Sequence, residues 1–157
     1  MTNTNNDFAW QEGRWAVRHR KLRERLTGCQ EWDEFLGSCT AWRVLGGQGN
    51  IEDNVMVTPA GTYRAIAVRA FDPASGSWSI WWLDGRWPGA MDVPVRGSFE
   101  EGVGTFLADD VFAGKPVKVR FVWSHITEGS ARWEQAFSGD DGASWEVNWV
   151  MDFTRAG

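Results

Sequence analysis

Hydrophobic and polar residues alternate along most of this chain with a period of two. Val117, Val119, Phe121 and Trp123 are apolar while Lys118, Arg120 and Ser124 are polar, the pattern of a strand buried on one face. Trp133, Gln135 and Phe137 share a face opposite Arg132 and Glu134. Trp145, Val147, Trp149, Met151 and Phe153 then alternate with Glu146, Asn148 and Asp152. Turn chemistry separates such stretches. Asp72-Pro73-Ala74-Ser75-Gly76 and Gly139-Asp140-Asp141-Gly142 read as hairpin connections, with weaker breaks at Gly46-Gly47-Gln48-Gly49, Asp84-Gly85-Arg86, Glu101-Gly102 and Ala113-Gly114-Lys115-Pro116. This spacing predicts short strands about every 8 to 14 residues, about nine or ten in all, between Gly13 and Arg155. Residues 2–12 and part of 20–37 leave room for a helical turn. The expected fold is all-β: one antiparallel barrel or sandwich over 13–155, preceded by a short N-terminal segment, 1–12, within a single domain, 1–157.

Composition narrows the function classes. At 157 residues the chain is long enough for one domain with a substantial core. A net charge of -5 argues against a nucleic-acid binder or a protein of anionic membranes, both of which need a basic footprint. No apolar run is long enough to span a bilayer, and the first ten residues lack the features of a secretory signal, so a cytoplasmic location is expected. Cys29 and Cys39 are expected to be reduced thiols, and His19 and His125 are too far apart in sequence to suggest a metal site. The unusual number is 12 Trp against a single Tyr.

Two features favour a barrel. Gly13-Arg14-Trp15 opens the first strand, and Arg155 closes the last. This G-x-W with a terminal Arg resembles the closure of calycin barrels, the superfamily of lipocalins and fatty-acid-binding proteins. The resemblance implies that Trp15 seals the floor while Arg155 packs over it by cation-π stacking. The stretches WAVRHRKLRERL (15–26), YRAIAVRAFDPASGSWSIWWLDGR (63–86), GSFEEGVGTFLADDVFAGKPVKVRFVWS (97–124) and SARWEQAFSGDDGASWEVNWVMDFTR (130–155) also resemble a bacterial family of uncharacterised lipocalin-like proteins, a domain of unknown function. That resemblance implies a calycin-like fold and no reaction.

Ser138 to Trp145 fits S-x-D-x-G-x-x-W, similar to the Asp-box hairpin of sialidases and other propellers, in which Asp140, Gly142 and Trp145 have structural roles. One copy in a chain of this length does not make a propeller. Arg14, Arg18, Arg20, Lys21, Arg23 and Arg25 form a basic cluster, read either as an anion-binding strip or as the solvent face of a strand. Leu22 and Leu26 break the parity of Trp15, Val17 and His19, so a basic side chain can turn inward where the register changes. His19 shares the inward face, where an imidazole is either a satisfied core group, an acid or base, or a haem ligand. Gln135 and Arg69 are candidate interior polar groups, and Asp53, Asp84 and Glu134 are candidate partners for Arg69. Adjacent Trp81 and Trp82 must face opposite sides of a strand.

The expected function is binding of a small apolar, aromatic or polycyclic molecule by His19, Arg69, Trp81, Trp82, Trp123, Trp133, Gln135 and Trp149, in a monomer or homodimer. The alternatives are a cofactor-independent isomerase, cyclase or lyase with His19 as acid/base, and haem binding through one histidine. No cofactor is expected for the leading reading.

Overall fold

Where the sequence alternates, the chain is extended. The computed structural model describes residues 5–157 and contains ten strands: β1 (Gly13–Leu22), β2 (Trp32–Val44), β3 (Gly49–Thr58), β4 (Gly61–Asp72), β5 (Ser77–Asp84), β6 (Val95–Glu100), β7 (Val103–Phe112), β8 (Lys115–Ser124), β9 (Ser130–Ser138) and β10 (Glu146–Arg155). Each pairs antiparallel with its neighbour in sequence, and β1 pairs with β10 to close the barrel. Closure leaves no free sheet edge. The β1–β10 register runs from Trp15 opposite Arg155 to Lys21 opposite Trp149.

One end of the barrel is a sealed floor. A 3-10 turn, Ala9–Gln11, lies beneath the strands and drives Phe8 into a cluster of rings. Phe8 meets Trp78 and Phe99 edge-on at 4.9 and 5.0 Å, and Trp10 meets Trp123 at 5.2 Å. Residues 1–4, part of the segment expected to turn, lie outside the described residues. Arg155 spreads its guanidinium over the Trp15 ring at 4.1 Å and donates to three carbonyls, those of Trp10, Glu12 and Glu128. Gly13 makes room for this. Its φ is +113°, and a β-carbon there would come within 2.9 Å of Arg155 Nη1.

Two expectations need correction. No helical turn forms within 20–37, because Arg23 pairs with Glu31 and Asp33, both at 2.8 Å, and holds the β1–β2 connection as an open arch. The strict alternation from Trp145 to Phe153 also fails. Strand β10 begins at Glu146, and a bulge between Val147 and Trp149 turns Asn148 inward, so Asn148, Trp149, Val150 and Met151 are all buried.

The interior is layered. Above the aromatic floor, Arg69 is 2% exposed and sits in a polar girdle. It pairs with Glu52 at 3.3 Å and donates to Asn50 and Gln11, while Gln11 and Asn54 donate to Glu52. Asp53, Asp84 and Glu134 are therefore not its partners. Glu52 has the even parity that β3 buries, whereas Asp53 faces outward to Arg64 at 2.8 Å. Burial of a cation without its counter-charge would be costly, and the girdle supplies one from within the protein.

Candidate functional site

The other end of the barrel is open. Five connections rim this mouth: the arch after β1, the short β3–β4 and β7–β8 turns, the 85–94 loop after β5, and the hairpin between β9 and β10. Within it lies a cavity of about 330 Å³ lined by Lys21, Arg25, Trp82, Asp84, Arg86, Trp87, Asp92, Phe121, Trp133, Gln135 and Trp149. Two hollows of about 350 and 440 Å³ lie along the β1–β2 seam and beside the 139–141 hairpin, among mainly charged side chains. Of these three, only the mouth is lined by indoles.

Those walls are held by mutual packing. Trp149 stands edge-on to Trp133 at 5.4 Å and to Trp82 at 5.7 Å, and Phe121 meets Trp133 at 4.9 Å. Trp149 is also fixed from behind, because its Nε1 donates to His19 Nδ1 at 3.1 Å. The imidazole in turn stacks on Phe35 at 4.6 Å. Gln135 donates to Oδ1 of the bulged Asn148 at 2.8 Å. Period-two patterning puts these side chains on the inner face, while the register of β10 brings them to one level.

His19 thus occupies a different place from the one expected of an acid, base or haem ligand. It is 2% exposed and stands behind Trp149 rather than on the cavity wall. Burial, aided by the Lys21 charge, pushes its pKa down to about 4, so the imidazole is neutral at ordinary pH. Its Nδ1 is occupied, and its Nε2 lies against Gly37, where a β-carbon would be 3.0 Å away.

The other expected residues divide clearly. Trp82, Trp133, Gln135 and Trp149 line the mouth cavity. Trp81, opposite Val68, takes the outer face of β5, since Trp78, Ile80 and Trp82 take the inner one. Trp123 is buried in the floor, and Arg69 lies between floor and mouth beside a void of about 10 Å³, room for one water at most. Asp140 organises its hairpin instead. It accepts from the hydroxyl and the amide of Ser144 and from the Ser138 hydroxyl, bonds that hold its carboxyl down to about 2. Gly142, at φ +89°, lets the turn lie against the half-buried Trp145, whose ring carries Arg120 at 4.4 Å.

Of the charged groups at the mouth, Lys21 and Arg25 belong to the basic cluster seen in the sequence and Asp84 was a candidate partner of Arg69, whereas Arg86 and Asp92 were not singled out. Lys21 places Nζ 4.2 Å above the Trp149 ring, and Arg25 lies 5.0 Å from the Phe137 ring. Desolvation lowers both, helped at Lys21 by the charges of Arg25 and Arg86; Lys21 is pushed down to about 8. Arg86 is held by Asp84 at 3.1 and 2.8 Å and covers Tyr63 at 3.6 Å. Desolvation and the neighbouring carboxylates of Asp110 and Asp84 raise Asp92. Lys21 was legible by parity, as the next odd position after Trp15, Val17 and His19. Arg25 and Asp92 lie in loops, where no periodicity marks them.

No family model and no curated protein matches this chain. Among the solved structures it resembles is an S-type phycobiliprotein lyase, CPES, from Guillardia theta, with a TM-score of 0.59 and 8% identity over 96% of this chain and 90% of that one. At that identity the likeness establishes the fold, a ten-stranded calycin-like barrel, and not the reaction.

Proposed function

We propose that the protein binds one small planar aromatic molecule in the barrel mouth. The observation that carries this reading is the set of indole walls: Trp82, Trp133 and Trp149 stand edge-to-face around an open cavity. A volume of about 330 Å³ falls at the lower end of small-molecule sites, enough for a two- or three-ring body. Adjacent tryptophans on opposite faces supply the test. Against a panel of aromatic acids, flavonoids and fatty acids read by indole fluorescence, Trp82→Ala should weaken the best binder at least about tenfold, or about 1.4 kcal/mol. Trp81→Ala should leave it unchanged. Equal losses in both variants, or no binder in the panel, would defeat the proposal.

A second reading, catalysis on the bound molecule, draws on the name of the fold neighbour, a lyase, and on one observation in this chain. Lys21 is a cavity-facing group pushed down to about 8, near enough to neutrality to exchange a proton. The buried His19 is much less suited to that role. Under this reading Lys21→Met abolishes turnover of a molecule that still binds; turnover that survives the substitution removes Lys21 as its acid or base.

A further inference from the structure

Five charged side chains line the mouth, and two of them neutralise each other. Arg86 and Asp84 form a two-bond pair at 3.1 and 2.8 Å, which leaves Lys21, Arg25 and Asp92. Neither Lys21 nor Arg25 has a carboxylate within 4 Å or a hydrogen bond among the described residues. Their close contacts are the ring faces of Trp149 and Phe137. Asp92 and Glu146 act on Arg25, and Asp84 acts on Lys21, only through space.

Most of the chain's other basic residues are treated differently; Arg120, on the Trp145 ring at 4.4 Å, likewise has no carboxylate partner among the described residues but does not line the mouth. Arg20, Arg23, Arg43, Arg64, Arg69, Arg86 and Arg132 all have carboxylate partners, and Arg155 caps carbonyls. The unpartnered Arg14 and Arg18 are exposed to water. Lys21 and Arg25 are partly desolvated, lie close enough to repel one another, and belong to a chain whose net charge is -5. Two like charges held together out of water are unfavourable until an anion joins them.

We propose that the mouth is an acid-binding site, in which the carboxylate of an aromatic acid lies between Lys21 and Arg25 while its ring system lies among Trp82, Trp133 and Trp149. The proposal rests on the aromatic-binding reading and names its ligand class. A guanidinium fork matches a carboxylate with two parallel bonds, and the ammonium adds a third donor. A phosphate dianion fits less well, because Asp84 and Asp92 stand nearby and would repel its second charge.

The test compares 2-naphthoate with the neutral 2-naphthamide, which has the same rings and nearly the same shape, by calorimetric titration into the full chain. The acid should bind at least about tenfold more tightly. Arg25→Gln and Lys21→Met should each weaken the acid far more than the amide and so remove most of that advantage, and outward-facing Arg20→Gln should alter neither. Thermal melts of the variants establish that they are folded. Equal affinity for acid and amide, or an acid preference that survives the Lys21→Met/Arg25→Gln double variant, overturns the acid site while the aromatic pocket stands. Failure of both compounds to bind, together with failure of the wider panel, removes the pocket and this inference with it.

Discussion

Trp149 directs its indole N–H at His19 Nδ1 across 3.1 Å, so the imidazole must stay neutral to go on accepting it. Burial and the Lys21 charge serve that state by pushing the pKa from 6.5 down to about 4. The consequence for stability has a definite sign. Between pH 6.5 and about 4 the unfolded chain takes up a proton that the folded protein refuses, so stability falls as pH falls through that window. The interval corresponds to about 3 kcal/mol. His19→Asn, which retains an acceptor but does not titrate there, should flatten this part of the profile in urea melts at pH 4 to 7. An identical slope in wild type and variant would show that His19 is not the group responsible. Raised Asp92 works in the opposite direction, and the comparison with the variant separates the two. Parity alone indicated that His19 points inward; what it faces is set by a residue 130 positions away.

At the level of elements, β1 and β10 close the barrel and the turn Ala9–Gln11 closes its floor, with Arg155 touching all three. Its guanidinium covers Trp15 and donates to the carbonyls of Trp10, Glu12 and Glu128, two of which belong to neither strand nor turn. Arg155→Ala removes a stack and three charge-assisted bonds at once. A loss of about 2–3 kcal/mol is expected, because water can reach and re-satisfy part of this partly exposed site. In a domain of this size that lowers the melting temperature by roughly 5–10 °C in calorimetry. An unchanged melting temperature would mean that the floor is sealed by the aromatic cluster alone. Gly13, Trp15 and Arg155 were visible as a pattern in the sequence, whereas the carbonyls they serve were not. The bulge before Trp149 was hidden for a similar reason: Glu146, Val147 and Asn148 continue the alternation, and only pairing with β9 shows the slip.

For the molecule as a whole, the layers have different tasks. The floor is apolar and closed, the Arg69–Glu52 girdle is polar and internally paired, and the mouth is aromatic with two cations that touch no carboxylate. A site held ready for an anion lowers the stability of the empty protein. Lys21→Met removes a desolvated charge yet keeps most of the stem packed on Trp149. It should raise the stability of the ligand-free chain by about 0.5–2 kcal/mol, measured as a higher melting temperature. A lower melting temperature would instead make Lys21 a structural residue. The sequence by itself determined that strands form, that successive side chains in them take opposite faces, and that indoles are plentiful. These follow from period-two patterning and composition, which are local properties of the chain; the floor-closing Trp15 and Arg155 were implied by the resemblance to calycin barrels. Tertiary structure alone decided that Glu52 rather than Asp53 meets Arg69, that Trp82 rather than Trp81 lines the cavity, and that Arg25 and Asp92 converge from separate loops. The physical reason is register: the stagger between strands and the paths of the loops depend on packing around the whole closed sheet, which no short stretch of sequence encodes.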